Sequence, residues 1–178
     1  GDSLYDRVTA VVGSIVDPLG GAALIADLLG ALRPLHARAE VHGNLDWHHV
    51  VGDERGWTAL IDGWTVLDPD GTLNCNPAYC APEVFSRNVL APSSDVYAVG
   101  LLGFEARFGY RPFDDDDRGV QQHMLRKLVG GPAWRGDDVA PAERELYLGL
   151  LAREPADRPD VDAGLERVHA LYPDLRPR

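Results

Sequence analysis

The sequence predicts a mainly α-helical single domain with one small β-hairpin. Apolar residues recur at helical spacing along most of the chain, while only Val50-Val51 and the stretch from Trp57 to Ile61, separated by the turn Gly52-Asp53-Glu54-Arg55-Gly56, have strand character. A length of 178 residues without a low-complexity linker or internal repeat fits one domain, residues 1–178.

Each element follows from a local signal. Leu4, Val8, Val11, Val12, Ile15 and Val16 form one face of a helix over Leu4 to Val16, opened by Asp2 or Ser3 and ended by Asp17-Pro18 and Gly20-Gly21. From Ala22 to about Ala39, Leu24, Ile25, Leu28, Leu29, Leu32 and Leu35 cover a broad face suited to the core. Pro34 is expected to kink or loosen the last turn of that helix. The hairpin follows a polar loop rich in His and Trp. Residues Asp62 to Asn76, with Asp68-Pro69-Asp70-Gly71 inside them, read as an irregular loop. Ser93 or Ser94 caps a helix from Asp95 to Phe108 that is apolar nearly all round and therefore buried. Helical stretches over Gly119 to Val129, Pro141 to Ala152 and Val161 to Leu171 complete the chain.

Composition excludes several roles. The 17 Lys and Arg against 28 Asp and Glu give a net charge of -11, and with no basic cluster a nucleic-acid partner would meet repulsion. The longest apolar run, Val96 to Leu102, is far shorter than the roughly 20 residues that cross a bilayer, and the acidic start lacks the form of a signal peptide. Cys75 and Cys80 are too few for a disulfide scaffold and are expected as reduced, partly buried thiols; their spacing matches no redox motif. A cytoplasmic location is expected. Without an initiator Met, the chain reads as a processed or excised fragment.

Several motifs then fall in a specific order: His42-Gly43-Asn44-Leu45, Asp62 after the hairpin, Pro77-Ala78-Tyr79-Cys80-Ala81-Pro82-Glu83, Ser94-Asp95-Val96-Tyr97-Ala98-Val99-Gly100, and Asp157-Arg158-Pro159. Together they resemble the C-terminal lobe of a protein kinase of the bacterial Ser/Thr type, over essentially the whole chain. The resemblance implies a catalytic-loop remnant at 42–49 and an activation-segment remnant at 62–83. It also implies structural roles for His42, Glu83, Asp95 and Arg158. Glu83 is expected to pair with Arg158 and Asp95 to accept from the backbone near His42. The N-terminal lobe is expected to be absent.

At the positions that carry phosphoryl transfer in the family, this sequence departs. Asn44, an amide, stands at the base position; Asp46 reverses the charge of the phosphate-contacting Lys; His49 replaces the metal-binding Asn; Asp62 alone matches. The resulting expectation is a pseudokinase lobe that is not an enzyme, with no cofactor and no metal. It would act as a protein-interaction or regulatory module. The partner is a protein or a second copy of the chain, bound through the face around Trp47, Val51, Trp57 and Trp64 that an N-terminal lobe would cover. Two alternatives stand beside it. One is a nucleotide-dependent transferase with Asp62 as residual metal ligand and the missing lobe supplied elsewhere. The other is a scaffold phosphorylated at Thr65 or Thr72 and read by a phosphopeptide-binding domain. His42, His48, His49 and Asp46 could with Asp62 gather a transition metal, although a buried His42 with surface His48 and His49 fits the resemblance better. The run Asp114-Asp115-Asp116-Asp117 reads as a solvated loop.

Overall fold

The computed structural model describes residues 18–52, 58–61, 66–67, 70–71, 73–113, 119–135 and 139–175. The expected first helix, the acidic run at 114–117, and Trp57, Asp62, Trp64, Thr65 and Thr72 lie outside them. The described part is mainly helical: α1 (Pro18–His36), α2 (Pro82–Arg87), α3 (Pro92–Phe108), α4 (Gly119–Val129), α5 (Pro141–Leu150) and α6 (Val161–Leu171). β1 (Val50–Gly52) pairs antiparallel with β2 (Thr58–Leu60), Val51 opposite Ala59. β3 (Val66–Leu67) pairs antiparallel with β4 (Leu73–Asn74).

The core is built on α1 and α3. Ile25, Leu28, Leu29 and Leu32 of α1 are fully buried, as are Val99, Leu102 and Phe104 of α3. The two helices approach closely because each presents glycine at the crossing. A Cβ on Gly103 would overlap Ile25, and one on Gly21 would come within 2.8 Å of the Arg107 Cβ. α6 closes on α1, and α5 on α3, where a Cβ on Gly100 would lie 2.9 Å from the Leu150 Cβ. Beyond α3, Phe104, Phe108, Tyr110, Trp134 and Tyr147 form a second apolar centre, with Phe104 and Phe108 centroids 4.4 Å apart.

Four sequence expectations need correction. The break at Asp17-Pro18 and Gly20-Gly21 falls at the start of α1, because proline is tolerated in a first helical turn and Gly21 is needed for contact with α3. At its other end α1 stops at His36, two residues after Pro34; Ala39 turns into the left-handed region at φ 57° and Glu40 N–H bonds back to Leu35 C=O. α3 begins at Pro92. Ser94 therefore sits one turn inside, where its Oγ accepts from Ala91 N–H at 3.1 Å instead of capping from outside. The stretch from 62 to 76 is not wholly irregular. Gly71, at φ 83°, reverses the chain so that β3 and β4 pair, and Asn88, itself left-handed at φ 54°, ties the reversal down by accepting from Leu73 N–H and donating to Gly71 C=O. α2 was not signalled, since six residues carry too little periodicity to read.

Candidate functional site

The site is a loop, residues 42–49, laid between the end of α1, the start of α3 and a turn at 76–80. Asp95, 2% exposed in the first turn of α3, holds the loop by its backbone. Its Oδ2 accepts from His42 N–H and its Oδ1 from Gly43 N–H, both at 2.8 Å, and His36 Nε2 lies 2.9 Å from Oδ2. One carboxylate thus fixes three groups, including two adjacent amides that no regular element satisfies. Gly43 can accept this arrangement because its φ is 76°. His42 is buried, its ring nitrogen Nε2 3.3 Å from Ile61 C=O, and burial holds its imidazole below the ordinary histidine value despite the nearby Asp95.

Asp46 organises the second half of the loop. Its Oδ1 accepts from His48 N–H at 2.8 Å, starting the short helical turn Trp47–His49, and lies 2.8 Å from His49 Nδ1; its Oδ2 accepts from Asn76 Nδ2 at 3.2 Å. Burial pushes this carboxyl up, but the bonds from Asn76, His48 and His49 outweigh it and hold the group below its ordinary value. Asp46 is therefore an internal strut joining the loop to the turn. His48 is exposed and His49 half-buried.

The turn at 76–80 is held from every side. Asn76 C=O accepts from Tyr79 and Cys80 N–H at 2.9 Å, and Asn76 Oδ1 accepts from Ala78 N–H. From α4, Lys127, 1% exposed, donates through Nζ to the carbonyls of Pro77, Ala78 and Cys80, each at 2.9 Å. Tyr79 Oη donates to Glu105 Oε2 at 2.6 Å, and burial together with that carboxylate pushes the phenol strongly upward. Cys75 and Cys80 are joined as a disulfide across the turn, with Cα atoms 5.9 Å apart. This corrects the expectation of two free thiols: the tight turn from Asn76 to Cys80 folds position 75 back onto position 80, a proximity that the five-residue spacing does not reveal.

Trp47 is half-buried: its indole Nε1 donates to Glu105 Oε2 at 2.8 Å and its ring packs against the core. Val51 is half-buried on β1. Below the site, Arg158 donates from Nη1 and Nη2 to the two oxygens of Glu83, both at 2.7 Å, with the paired side chains 0% and 3% exposed. Burial raises the Glu83 carboxyl, but Arg158 more than compensates and holds it below the ordinary value. Sequence reasoning did not single out Glu105 or Lys127. Lys127 sits in an ordinary amphipathic helix and its partners are backbone carbonyls 47 to 50 residues upstream, which leave no mark in a sequence.

Chemically, the loop offers an amide at 44, a fully committed carboxylate at 46 and an imidazole at 49 oriented by that carboxylate. Among the described residues no three His, Cys, Asp or Glu side chains converge as a metal site. The cavity between loop and turn, lined by Asn44, Cys75, Asn76 and Asp95 among others, has a volume of about 20 Å³, room for about one water.

Comparison with known proteins places this architecture. A serine/threonine-protein kinase of Saccharomyces cerevisiae, YPK2/YKR2, is 31% identical over 158 residues, covering 85% of this chain and 23% of the relative. The chain is protein-kinase-like. The kinase-like lobe is also 28% identical to CBL-interacting protein kinase 1 of Oryza sativa subsp. japonica, over 99% of its own length and 39% of the relative's. With calcium/calmodulin-dependent protein kinase type 1B of Rattus norvegicus the identity is 26%, over 94% and 51% of the two chains. The lobe thus spans between about a quarter and a half of these relatives, matching their C-terminal part. No family model matches it. These relatives overturn the expectation that the chain is not an enzyme, because the proteins it is homologous to are named as protein kinases, three of them as serine/threonine kinases, members of an enzyme family. No helix among the described residues is long and apolar enough to cross a membrane.

Proposed function

We propose that the kinase-like lobe is a protein-binding, regulatory lobe that engages a second copy of the chain or another protein through the face formed by the catalytic loop and the β1–β2 hairpin. The observation that carries this is the state of the loop. The carboxylate at 46 and that of Asp95 behind it are committed to internal bonds, and the cavity of about 20 Å³ is far below the roughly 300 Å³ at which small-molecule pockets begin. What remains is a surface of fixed shape, and a preorganised surface loses little ordering entropy when a protein docks on it. Val51 is half-buried and Ile61 is 37% exposed at this face; Trp57 and Trp64 belong to the same part of the sequence. The Ala, Gly, Asp and Arg bias supports a bacterial member of the family, and a cytoplasmic site of action goes with that reading.

The test is mass by light scattering over a range of concentrations, with Val51→Asp and Trp64→Ala beside the unmutated protein. Association that both substitutions weaken supports the reading. A monomer at all concentrations that also retains no protein partner overturns it.

The kinase relatives favour a second reading, ATP-dependent phosphoryl transfer with Asp62 as a metal ligand and the remaining parts supplied by more chain or another protein. The described residues do not fit a magnesium site, since His49 is a nitrogen donor turned to Asp46 and both Asp46 oxygens are occupied. A rise in melting temperature with ATP and manganese that Asp62→Ala abolishes supports this second reading. No rise counts against it.

A further inference from the structure

The Cys75–Cys80 disulfide lies where a change in bonding alters the site directly. It closes a loop of six residues, and inside that loop are the groups that tie the turn to its surroundings: Asn76 to Asp46 of the catalytic loop, Tyr79 to Glu105 of α3, and the carbonyls gripped by Lys127. Both cysteines line the small cavity beside Asn44. Cys80 is buried at 6% exposure, whereas Cys75 is half-buried and so the more open to attack. The bridge is also poorly placed as a global staple. It spans only five positions of sequence, and cross-links restrict the unfolded chain less the shorter the loop they close.

We propose that this disulfide is a redox-sensitive clamp that holds the turn at 76–80 against the catalytic loop and releases it on reduction by a dithiol. In the first step a thiolate of the dithiol attacks Cys75 Sγ; the Cys75–Cys80 bond breaks, its electron pair leaves on Cys80 Sγ, and that sulfur takes a proton. The second thiol of the reductant then displaces Cys75, which is protonated in turn. Two electrons and two protons pass from the dithiol to the pair, and the reductant leaves as its own disulfide. With the bridge open, Cys75 no longer returns the chain to Cys80, and the Asn76 contact to Asp46 loses its support. Lys127 still grips the far side, so the release is confined to the turn and the loop facing it. The clamp is a property of the turn and does not depend on whether the neighbouring face binds a protein.

The experiment is amide hydrogen exchange on the whole chain, oxidised and after treatment with dithiothreitol, with thiols counted by alkylation and mass. The expected result is no alkylation before reduction and two alkylated cysteines after it. Exchange at Ala78, Tyr79 and Cys80 and at His48 is expected to quicken tenfold or more, up to about the 40-fold by which closing a loop this short restricts an open chain, while Leu28 and Val99 stay unchanged. Cys75→Ser is expected to exchange like the reduced protein in either buffer. Three results would overturn the proposal: both thiols alkylated without reduction, exchange at the turn that is indifferent to reduction, or acceleration spread equally through α1 and α3, which marks a purely global staple.

Discussion

Replacing Arg158 is the sharpest test of how the lobe is held together. The guanidinium is enclosed: beyond its two 2.7 Å bonds to Glu83 it donates to the carbonyls of Ala152 at 2.8 Å, Ser93 at 2.9 Å and Arg153 at 3.0 Å, and its carbon sits 4.7 Å from the centre of the Tyr97 ring. It thereby joins α2, the start of α3 and the segment before α6. Arg158→Met removes the charge but keeps an apolar stem of similar length, leaving three carbonyls without this donor and Glu83 with only the Ser94 hydroxyl at 2.8 Å. Breaking a buried pair from one side costs roughly 3 to 5 kcal/mol, because the remaining charge stays buried and uncompensated. In a domain of this size that corresponds to a fall in melting temperature of roughly 6 to 20 °C. Urea unfolding followed by circular dichroism measures it, and a loss below about 1 kcal/mol would refute the reasoning. The double variant Glu83→Gln with Arg158→Met supplies the internal control. With both charges gone it is expected to be more stable than Arg158→Met alone, and strict additivity would show that the two groups act independently.

Other outcomes follow from the same contacts. Gly103→Ala drives a methyl into Ile25 at the α1–α3 crossing and is expected to cost roughly 1 to 3 kcal/mol, read by the same unfolding curves; a neutral effect would mean the helices separate easily. Lys127→Met strips three carbonyls of their donor and is expected to speed hydrogen exchange at the turn 76–80 well before it changes the helical signal. His42, Asp46 and Glu83 are all held below their ordinary values of 6.5, 3.8 and 4.5, so the unfolded chain takes up each proton more readily than the folded one. Their stabilisation is complete above the ordinary values. Melting temperature is expected to fall as pH drops below about 6.5, through His42, and more steeply below about 4.5 through the carboxylates. A melting temperature flat from pH 7 to 4 would contradict these environments.

What could be read from sequence divides along physical lines. The core faces of α1 and α3 were legible because buried helices leave a repeating apolar pattern, and β1–β2 was legible because a polar turn separates two short apolar runs. The boundaries were less so. The stretch from Pro18 to Gly21 and Ser94 each carry a signal with two meanings, an end or a beginning, a cap or a first-turn residue, and only tertiary contact, of Gly21 with Arg107 and of Ser94 with Glu83, chooses between them. Glu83 and Arg158 stand 75 residues apart and Asp95 is 53 residues from His42, so nothing local links them; the motif order of the family made them worth naming. The disulfide was missed because cysteine counting treats two thiols as a compartment question, whereas the turn at Asn76 makes it a geometric one. The anchorage of Trp47 was illegible for a related reason: its indole nitrogen reaches Glu105, 58 positions later, and nothing local links the two.

The proposed function places the protein-binding surface of this kinase-like lobe on the loop at 42–49 and the β1–β2 hairpin. Hydrogen exchange compared between dilute protein and its associated or partner-bound state tests it most directly. New protection is expected at Val50 to Gly52, at Thr58 to Ile61 and along residues 42–49, with the outer face of α4 unchanged. Protection centred on Leu125 and Val129 of α4, or none anywhere, would contradict it.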